Sequence, residues 1–165
     1  MRWIRWVLGA GLVGLSAIQL VPYGRDHTNP PVVTEPPWDS QTTRDLAVGA
    51  CFDCHSNETD WAWYTNVAPV SWMVQRDVDE GRRKLNFSEW PSGEDDDAAE
   101  TVREETMPPA GYKLMHGSAR LSGADAERLA SGLEATLGEG DGDDSGRGGD
   151  GGDDPPGRGE EEDDD

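Results

Sequence analysis

An apolar run opens the chain, and short amphipathic stretches follow it. Residues 3–23 are mostly apolar, and no charged residue occurs from Trp6 through Tyr23. At about 1.5 Å of rise per residue, a helix of this length covers roughly 27 to 31 Å, the thickness of a bilayer core. The pattern therefore predicts that residues 1–24 contain a single N-terminal transmembrane helix.

The charges around this run indicate its orientation. Arg2 and Arg5 lie at its start, and the residues after it are rich in acids. This asymmetry predicts a single-pass protein of the cell membrane whose remaining residues lie outside the cytoplasm. A cleaved signal peptide is the alternative, although no small-x-small cleavage site follows the apolar run.

Residues 25–37 are predicted to form a proline-rich linker. The segment contains four prolines, Pro30, Pro31, Pro36 and Pro37. Because proline favours extended backbone, we expect a spacer between the membrane and the domain. His27 is expected to be an ordinary solvated histidine of this linker.

The pattern of residues 38–137 predicts one all-α domain, since no run of alternating Val, Ile and aromatic residues indicates a strand. Thr42 and Asp45 have capping-box spacing and predict a first helix that runs toward Cys54. Ser122 and Asp125 predict the start of the last helix. Its apolar face consists of Leu129, Leu133 and Leu137, and Gly138 ends it.

Two further helices are predicted between these. One begins near Pro69 and ends before Gly81, and its predicted buried stripe consists of Val70, Met73, Val74 and Val78. The other is capped by Ser92, has an acidic first turn and ends before Pro108.

The overall charge excludes some classes of partner. The chain has 14 Lys+Arg against 34 Asp+Glu, a formal net charge of -20, and 34% hydrophobic residues. Nucleic-acid binding needs clustered basic side chains, so this class of function is excluded. Residues 138–165 contain most of the surplus and no aliphatic side chain, and they are predicted to be a disordered acidic tail. Such an acidic surface is typical of halophilic proteins, and a docking arm for a basic partner is the alternative.

The chemistry is concentrated in Cys51-Phe52-Asp53-Cys54-His55, which is a CxxCH motif. This spacing is the attachment signal of haem c, in which two thiols bind the porphyrin and the adjacent imidazole binds iron as the proximal ligand. Cys51 and Cys54 are also the only cysteines of the chain. A disulfide, a thioredoxin-like redox pair, or a zinc site completed by His116 are the alternatives.

The iron of such a haem has a second axial position, and we expect its ligand to come from a residue that follows the CxxCH motif in the chain. Met107 is the preferred candidate, because Pro108 and Pro109 stiffen its loop. Met115 and His116 are further candidates, and the spacing alone does not decide among the three. Aromatic side chains could form the walls of a haem pocket, and the candidates are Trp61, Trp63, Tyr64, Trp72, Trp90 and Tyr112.

The stretch from Asn29 to about Leu137 resembles the haem-binding domain family of membrane-anchored, cytochrome c-like proteins. The shared elements are NPP at 29–31, CFDCHSNETDWAWY at 51–64, APVSWMVQRDVDEGRRKLNFSEW at 68–90, MPP at 107–109 and YKLMHGSARLS at 112–122. The resemblance implies one covalent haem attached to Cys51 and Cys54, with His55 as the proximal ligand and Met107 as the distal one.

These observations predict a monohaem c-type cytochrome that transfers single electrons on the outer face of the membrane. Its expected partners are redox proteins or membrane electron carriers, and no catalysis is required. A haem-based sensor or peroxidase-like protein with an accessible distal iron position is the alternative. A domain without haem, in which the two cysteines are merely oxidised, is the third possibility.

Overall fold

A computed structural model describes residues 2–91 and 97–138 of the protein. Its helices are α1 Arg2–Ile18, α2 Gln41–Ala50, α3 Phe52–His55, α4 Val70–Lys84, α5 Ala98–Arg103, α6 Ala110–Met115 and α7 Gly123–Gly138, with a 3-10 turn at Trp63–Asn66. The described residues contain no strand, only an isolated parallel bridge between Thr34 and Glu89. The predicted all-α fold class is therefore confirmed.

Helix α1 occupies most of the N-terminal apolar run and buries none of its residues. Among residues 2–91 and 97–138, no helix has both the length and the apolar character needed to cross a membrane. The predicted transmembrane helix is thus not found.

The proline-rich segment forms no helix, and it lies against the domain. The Val33 and Thr34 N–H groups donate to the Ser88 carbonyl, and the Trp90 N–H donates to the Thr34 carbonyl. The expectation for His27 was wrong. Its imidazole stacks on Trp61 with ring centroids 4.5 Å apart, because the left-handed backbone of His27 turns the chain back toward the domain.

The ends of the helices were predicted with mixed success. Helix α7 has the predicted cap, since the Asp125 N–H donates to Ser122 Oγ over 3.1 Å. Helix α2 is capped by Ser40 rather than Thr42, because Ser40 Oγ accepts from the Thr43 N–H. The predicted cap at Ser92, with its acidic turn, and the acidic tail lie outside the described residues, apart from Asp97 and Gly138.

Helix α4 extends through Gly81 to Lys84 and presents a different face to the core than the pattern predicts. Its buried residues are Ser71, Val78 and Gly81. Met73, predicted to be a core residue, is 64% exposed. The apolar spacing was misleading because the helix packs through its small residues, which allow a close approach to the rest of the domain.

The core joins the two ends of the domain around three aromatic rings. Phe52 of α3 stacks on Phe87 with centroids 5.6 Å apart, and Trp38 lies 5.1 Å from Phe87. Leu129 and Leu133 of α7 belong to the same buried cluster, together with Val102 of α5. This cluster fixes α3, the short helix that contains Cys54 and His55 of the CxxCH motif, against the C-terminal helices.

Candidate functional site

Helices α2 and α3 place the CxxCH motif at a tight turn. Cys51 ends α2, where its N–H donates to the Ala47 carbonyl, and its own carbonyl accepts from the N–H groups of Cys54 and His55. Phe52, the first residue of α3, is 4% exposed and belongs to the core. Because Phe52 is buried, the orientation of the cysteines and the histidine around it is fixed.

The ring of His55 is held by the segment that follows α4. Nδ1 of His55 lies 3.1 Å from the Leu85 carbonyl oxygen, and the His55 carbonyl accepts from the Phe87 N–H over 2.8 Å. A carbonyl partner requires the proton to be on Nδ1, so the lone pair of the imidazole is on Nε2. Histidines that bind a metal commonly have such a partner at their other nitrogen.

Gly81 permits the contact between α4 and the motif. A Cβ atom at this position would lie 2.4 Å from the Cys54 carbonyl oxygen, which is too close for any side chain. The sequence pattern marked Gly81 as the end of a helix, whereas its role is to let the α4 backbone pass next to Cys54. This close approach brings the second half of α4 to the cysteines.

The two thiols are not joined to each other. Burial raises the pKa of each to about 12, and the neighbouring thiol adds to the effect at Cys51, as the carboxylates of Asp77 and Asp53 do at Cys54. Both cysteines are therefore protonated near neutral pH. This property disfavours a thioredoxin-like redox pair, which needs a thiolate of lowered pKa.

A cavity of about 360 Å³ adjoins the motif. Cys51, Cys54 and His55 line it, and so does Met107. The apolar part of the wall comes from Ala50, Leu85, Phe87, Ala98, Val102, Pro108 and Leu133. The structure thus brings the three residues of the motif and the preferred second ligand to one largely apolar cavity.

The loop before α6 places Met107 at this cavity. The N–H groups of Thr106 and Met107 both donate to the Thr101 carbonyl over 3.1 Å, and the Thr106 hydroxyl donates to it as well. A cis peptide bond joins Met107 to Pro108. Met107 is 38% exposed, so its side chain lies between the cavity and the solvent.

Tyr112 also lines the cavity, and it connects α6 to the motif. Its hydroxyl donates to Oδ2 of Asp53 over 2.5 Å, and its ring stacks on His116 with centroids 3.9 Å apart. Burial, together with the hydrogen bond to the Asp53 carboxylate, raises the pKa of the Tyr112 phenol. The phenol is consequently protonated and acts as a hydrogen-bond donor.

His116 does not line the cavity, and its two ring nitrogens lie next to other groups. Its Nε2 lies 3.1 Å from the Tyr64 hydroxyl, and its Nδ1 lies 3.2 Å from the Tyr112 carbonyl oxygen. Within the described ranges no group of three or more His, Cys, Asp or Glu side chains could hold a metal ion. A zinc site that combines His116 with the two cysteines therefore finds no support.

The other residues that the sequence suggested as iron ligands or as walls of a haem pocket do not line the cavity. Met115 is 59% exposed and Trp63 is 78% exposed. The Trp61 indole donates to Asn29 in the docked linker. Neither these residues nor Tyr64, Trp72 and Trp90 belong to the residues that line the cavity.

Sequence reasoning missed the charged residues of the cavity wall. Asp77, Glu80 and Lys84 come from α4, and Asp97 precedes α5. Burial raises the pKa of Asp77, an effect that Glu80 strengthens and Arg76 opposes. The spacing of 77, 80, 81 and 84 places one helical face at the cavity, and this spacing is visible in the sequence.

A family model described as a haem-binding domain matches residues 13–135, about three quarters of the chain. The chain belongs to the haem-binding domain family. No curated protein and no solved structure matches it. The match covers both the CxxCH motif and Met107, so the residues around the cavity lie within the region of this haem-binding domain.

The cavity of this haem-binding domain suits its cofactor chemically. Its wall is mostly apolar, as a porphyrin requires, and its donors are two thiols, one imidazole and one thioether. The imidazole has the tautomer that presents Nε2, because the Leu85 carbonyl occupies Nδ1. Pockets that bind cofactors have this composition, with few polar groups in an apolar wall.

Proposed function

We propose that the protein is a monohaem c-type cytochrome that transfers single electrons at the outer face of the cell membrane. One observation carries the proposal: Cys51, Cys54 and His55 share one turn at the wall of an apolar cavity, and Met107 lines the same cavity. The spacing of the first three is that of haem c attachment.

Each of these residues has a separate role in the proposal. The thiols of Cys51 and Cys54 would hold haem by adding across its two vinyl groups, and His55 Nε2 and the Met107 thioether would bind its iron. Bound haem would supply an iron that gains and loses one electron. With both of these ligands on the iron, substrate would be excluded from it, so the proposed role is that of a carrier rather than an enzyme.

The structure supports the roles of the ligands through the atoms that hold them. The Leu85 carbonyl fixes the His55 ring, and the Thr101 carbonyl holds the backbone of Met107. Tyr112 connects α6, which begins three residues after Met107, to Asp53 inside the motif. These contacts pre-organise both ligands, so that little rearrangement accompanies a change in the charge of the iron.

Helix α1 supports the proposed membrane location. From Trp6 to Ile18 its only polar side chain is that of Ser16, and none of its residues is buried by the domain. A helix that is apolar all round requires an apolar environment. We therefore assign α1 and the apolar residues that follow it to the membrane, with redox proteins or membrane electron carriers as partners.

One observation favours the second candidate, a haem-based sensor or peroxidase-like protein. Met107 is 38% exposed and lies in a loop, so a small molecule has a route to the iron if this thioether leaves it. The same haem attachment would then serve ligand binding.

The visible spectrum tests both candidates. The full chain is produced in a host able to attach c-type haem, reduced, and exposed to carbon monoxide. We expect a low-spin spectrum that carbon monoxide does not change, and an intact mass that includes one haem. A rapid spectral shift would favour the sensor, and a mass without haem would exclude both.

Matched variants identify the distal ligand. Met107→Ala opens an axial position and should allow carbon monoxide to bind, whereas Met115→Ala should not. An unchanged Met107→Ala spectrum would remove Met107 from the iron.

A further inference from the structure

Four exposed apolar residues lie within residues 63–73, from the 3-10 turn to the first turn of α4. They are Trp63, Val67, Val70 and Met73, with exposed fractions of 78%, 44%, 39% and 64%. We call this set the neutral patch, because residues 61–75 contain no charged side chain in a chain whose net charge is -20. Exposed apolar groups of this kind usually mark a contact surface.

The neutral patch adjoins the end of α1. The Gln19 side chain donates from Nε2 to the Ala68 carbonyl over 2.9 Å, and its Oε1 accepts from the Ala68 N–H over 3.0 Å. Ala68 lies between Val67 and Val70 in the chain. The residue that follows α1 is therefore fixed to the middle of the patch.

A second contact strengthens this junction. Gly24 has a φ of +78°, and a Cβ atom at this position would lie 2.3 Å from the Ser71 carbonyl oxygen. The chain leaves α1 and passes directly over the first turn of α4. A membrane that surrounds α1 would for this reason end next to Val67, Val70 and Met73.

We propose that the neutral patch rests on the lipid bilayer, in the interfacial region where tryptophan is favoured. This inference rests on the proposed membrane location of α1. Because residues 61–75 have no carboxylate of their own, this stretch can approach phospholipid headgroups with less repulsion than the acidic segments of the chain. Trp63 is the anchor, and the aliphatic side chains and Met73 provide the apolar contact.

The patch then sets the height of the haem cavity above the membrane. Val70 and Met73 continue the face of α4 that lines the cavity from Asp77 to Lys84. Asp77 follows Met73 by four residues, which is about 6 Å along the helix axis. The cavity therefore begins one helical turn from the bilayer, within reach of a membrane electron carrier.

The methionines of the chain provide the test. The haem-loaded full chain, labelled with ¹³C at its methionine methyl groups, is placed in phosphatidylcholine nanodiscs, reduced, and studied by NMR. One sample contains a phospholipid with a gadolinium chelate on its headgroup, and another contains a water-soluble gadolinium chelate. Met73 and Met115 are matched, since 64% and 59% of their surfaces are exposed.

We expect the lipid chelate to remove the Met73 signal and spare that of Met115, and the soluble chelate to do the reverse. Val70→Asp should restore access of the soluble chelate to Met73, whereas Val48→Asp on α2 should not. Equal sensitivity of both methionines to the soluble chelate would overturn the proposal. Protection of Met73 from both chelates would also overturn it, in favour of a protein partner or a second copy.

The same samples separate this inference from the proposed function. The methyl signal of Met107 reports iron ligation, because the haem ring shifts it strongly when its sulfur binds. Failure of the chain to enter the nanodiscs would remove the membrane assignment and the inference together. A chain that enters the discs and keeps the Met107 shift, but exposes Met73 to water, would refute the neutral patch alone.

Discussion

The Tyr112 hydroxyl donates to Oδ2 of Asp53, so that a residue of α6 is joined directly to the interior of the CxxCH motif. The other carboxylate oxygen of Asp53 accepts from the Asp60 N–H over 2.9 Å. Tyr112→Phe should lower the free energy of unfolding by about 1 to 2 kcal/mol, because it leaves Oδ2 of this poorly exposed carboxylate without its donor. Chemical denaturation measures the loss. Tyr64→Phe removes the hydrogen bond to His116 without taking a donor from a carboxylate and should cost less; an equal cost would contradict the special role of Asp53.

Gly81→Ala should prevent the correct packing of α4 on the motif. The new Cβ would meet backbone atoms of Cys54, which cannot move without displacing α3. We expect a loss of roughly 3 kcal/mol or more and a lower yield of covalent haem, measured by intact mass. Gly111→Ala on α6 is the matched control. Nothing lies within 4 Å of its added Cβ, so haem yield should not change.

Asp77→Asn should raise the reduction potential of the bound haem. A carboxylate in the cavity wall stabilises the more positive, oxidised iron, and its removal takes that stabilisation away. An effect of roughly 1 kcal/mol corresponds to about 40 mV for one electron. Potentiometric titration gives the value. Asp45→Asn, on the exposed side of α2, should leave the potential unchanged; equal shifts would point to net charge rather than position.

Glu35 should make the domain sensitive to acid. Arg44 donates two hydrogen bonds of 2.7 Å to its carboxylate and lowers its pKa below the ordinary 4.5. Since the folded pKa is depressed, the stabilisation is complete above pH 4.5 and is lost as pH falls through the folded pKa. Glu35→Gln should therefore cost about 1 kcal/mol at neutral pH and progressively less in acid. Denaturation at several pH values tests this, and Glu104→Gln on the surface should show no such trend.

The sequence predicted the helices and the chemical motif better than the packing. Ser122 with Asp125 and the CxxCH residues are local signals, because the atoms that interact are only a few residues apart. The buried face of α4 could not be predicted, since Gly81 is buried by a contact with Cys54 that no local pattern encodes. The hydrogen bond between Tyr112 and Asp53 spans 59 residues and was missed for the same reason.

The position of the proline-rich linker also depends on contacts between residues far apart in the sequence, which the sequence pattern could not predict. Its prolines predicted extended backbone, which is a local property. Its attachment depends on Arg82, whose guanidinium donates to the Thr28 carbonyl, to Asn29 Oδ1 and to the Ser56 carbonyl. Nothing in the spacing of these residues reveals that they meet.

In the proposed function, the docked linker limits how electrons would reach the protein. Because Gln19 binds Ala68 and residues 29–34 are fastened along the domain, no free length of chain separates α1 from the cavity. A domain on a loose tether could search a wide volume and carry its charge to a distant acceptor. In the proposed function, this domain would stand at one place on its anchor, so its donor and its acceptor would both have to diffuse to it, and the rate of encounter would depend on their mobility rather than on its own.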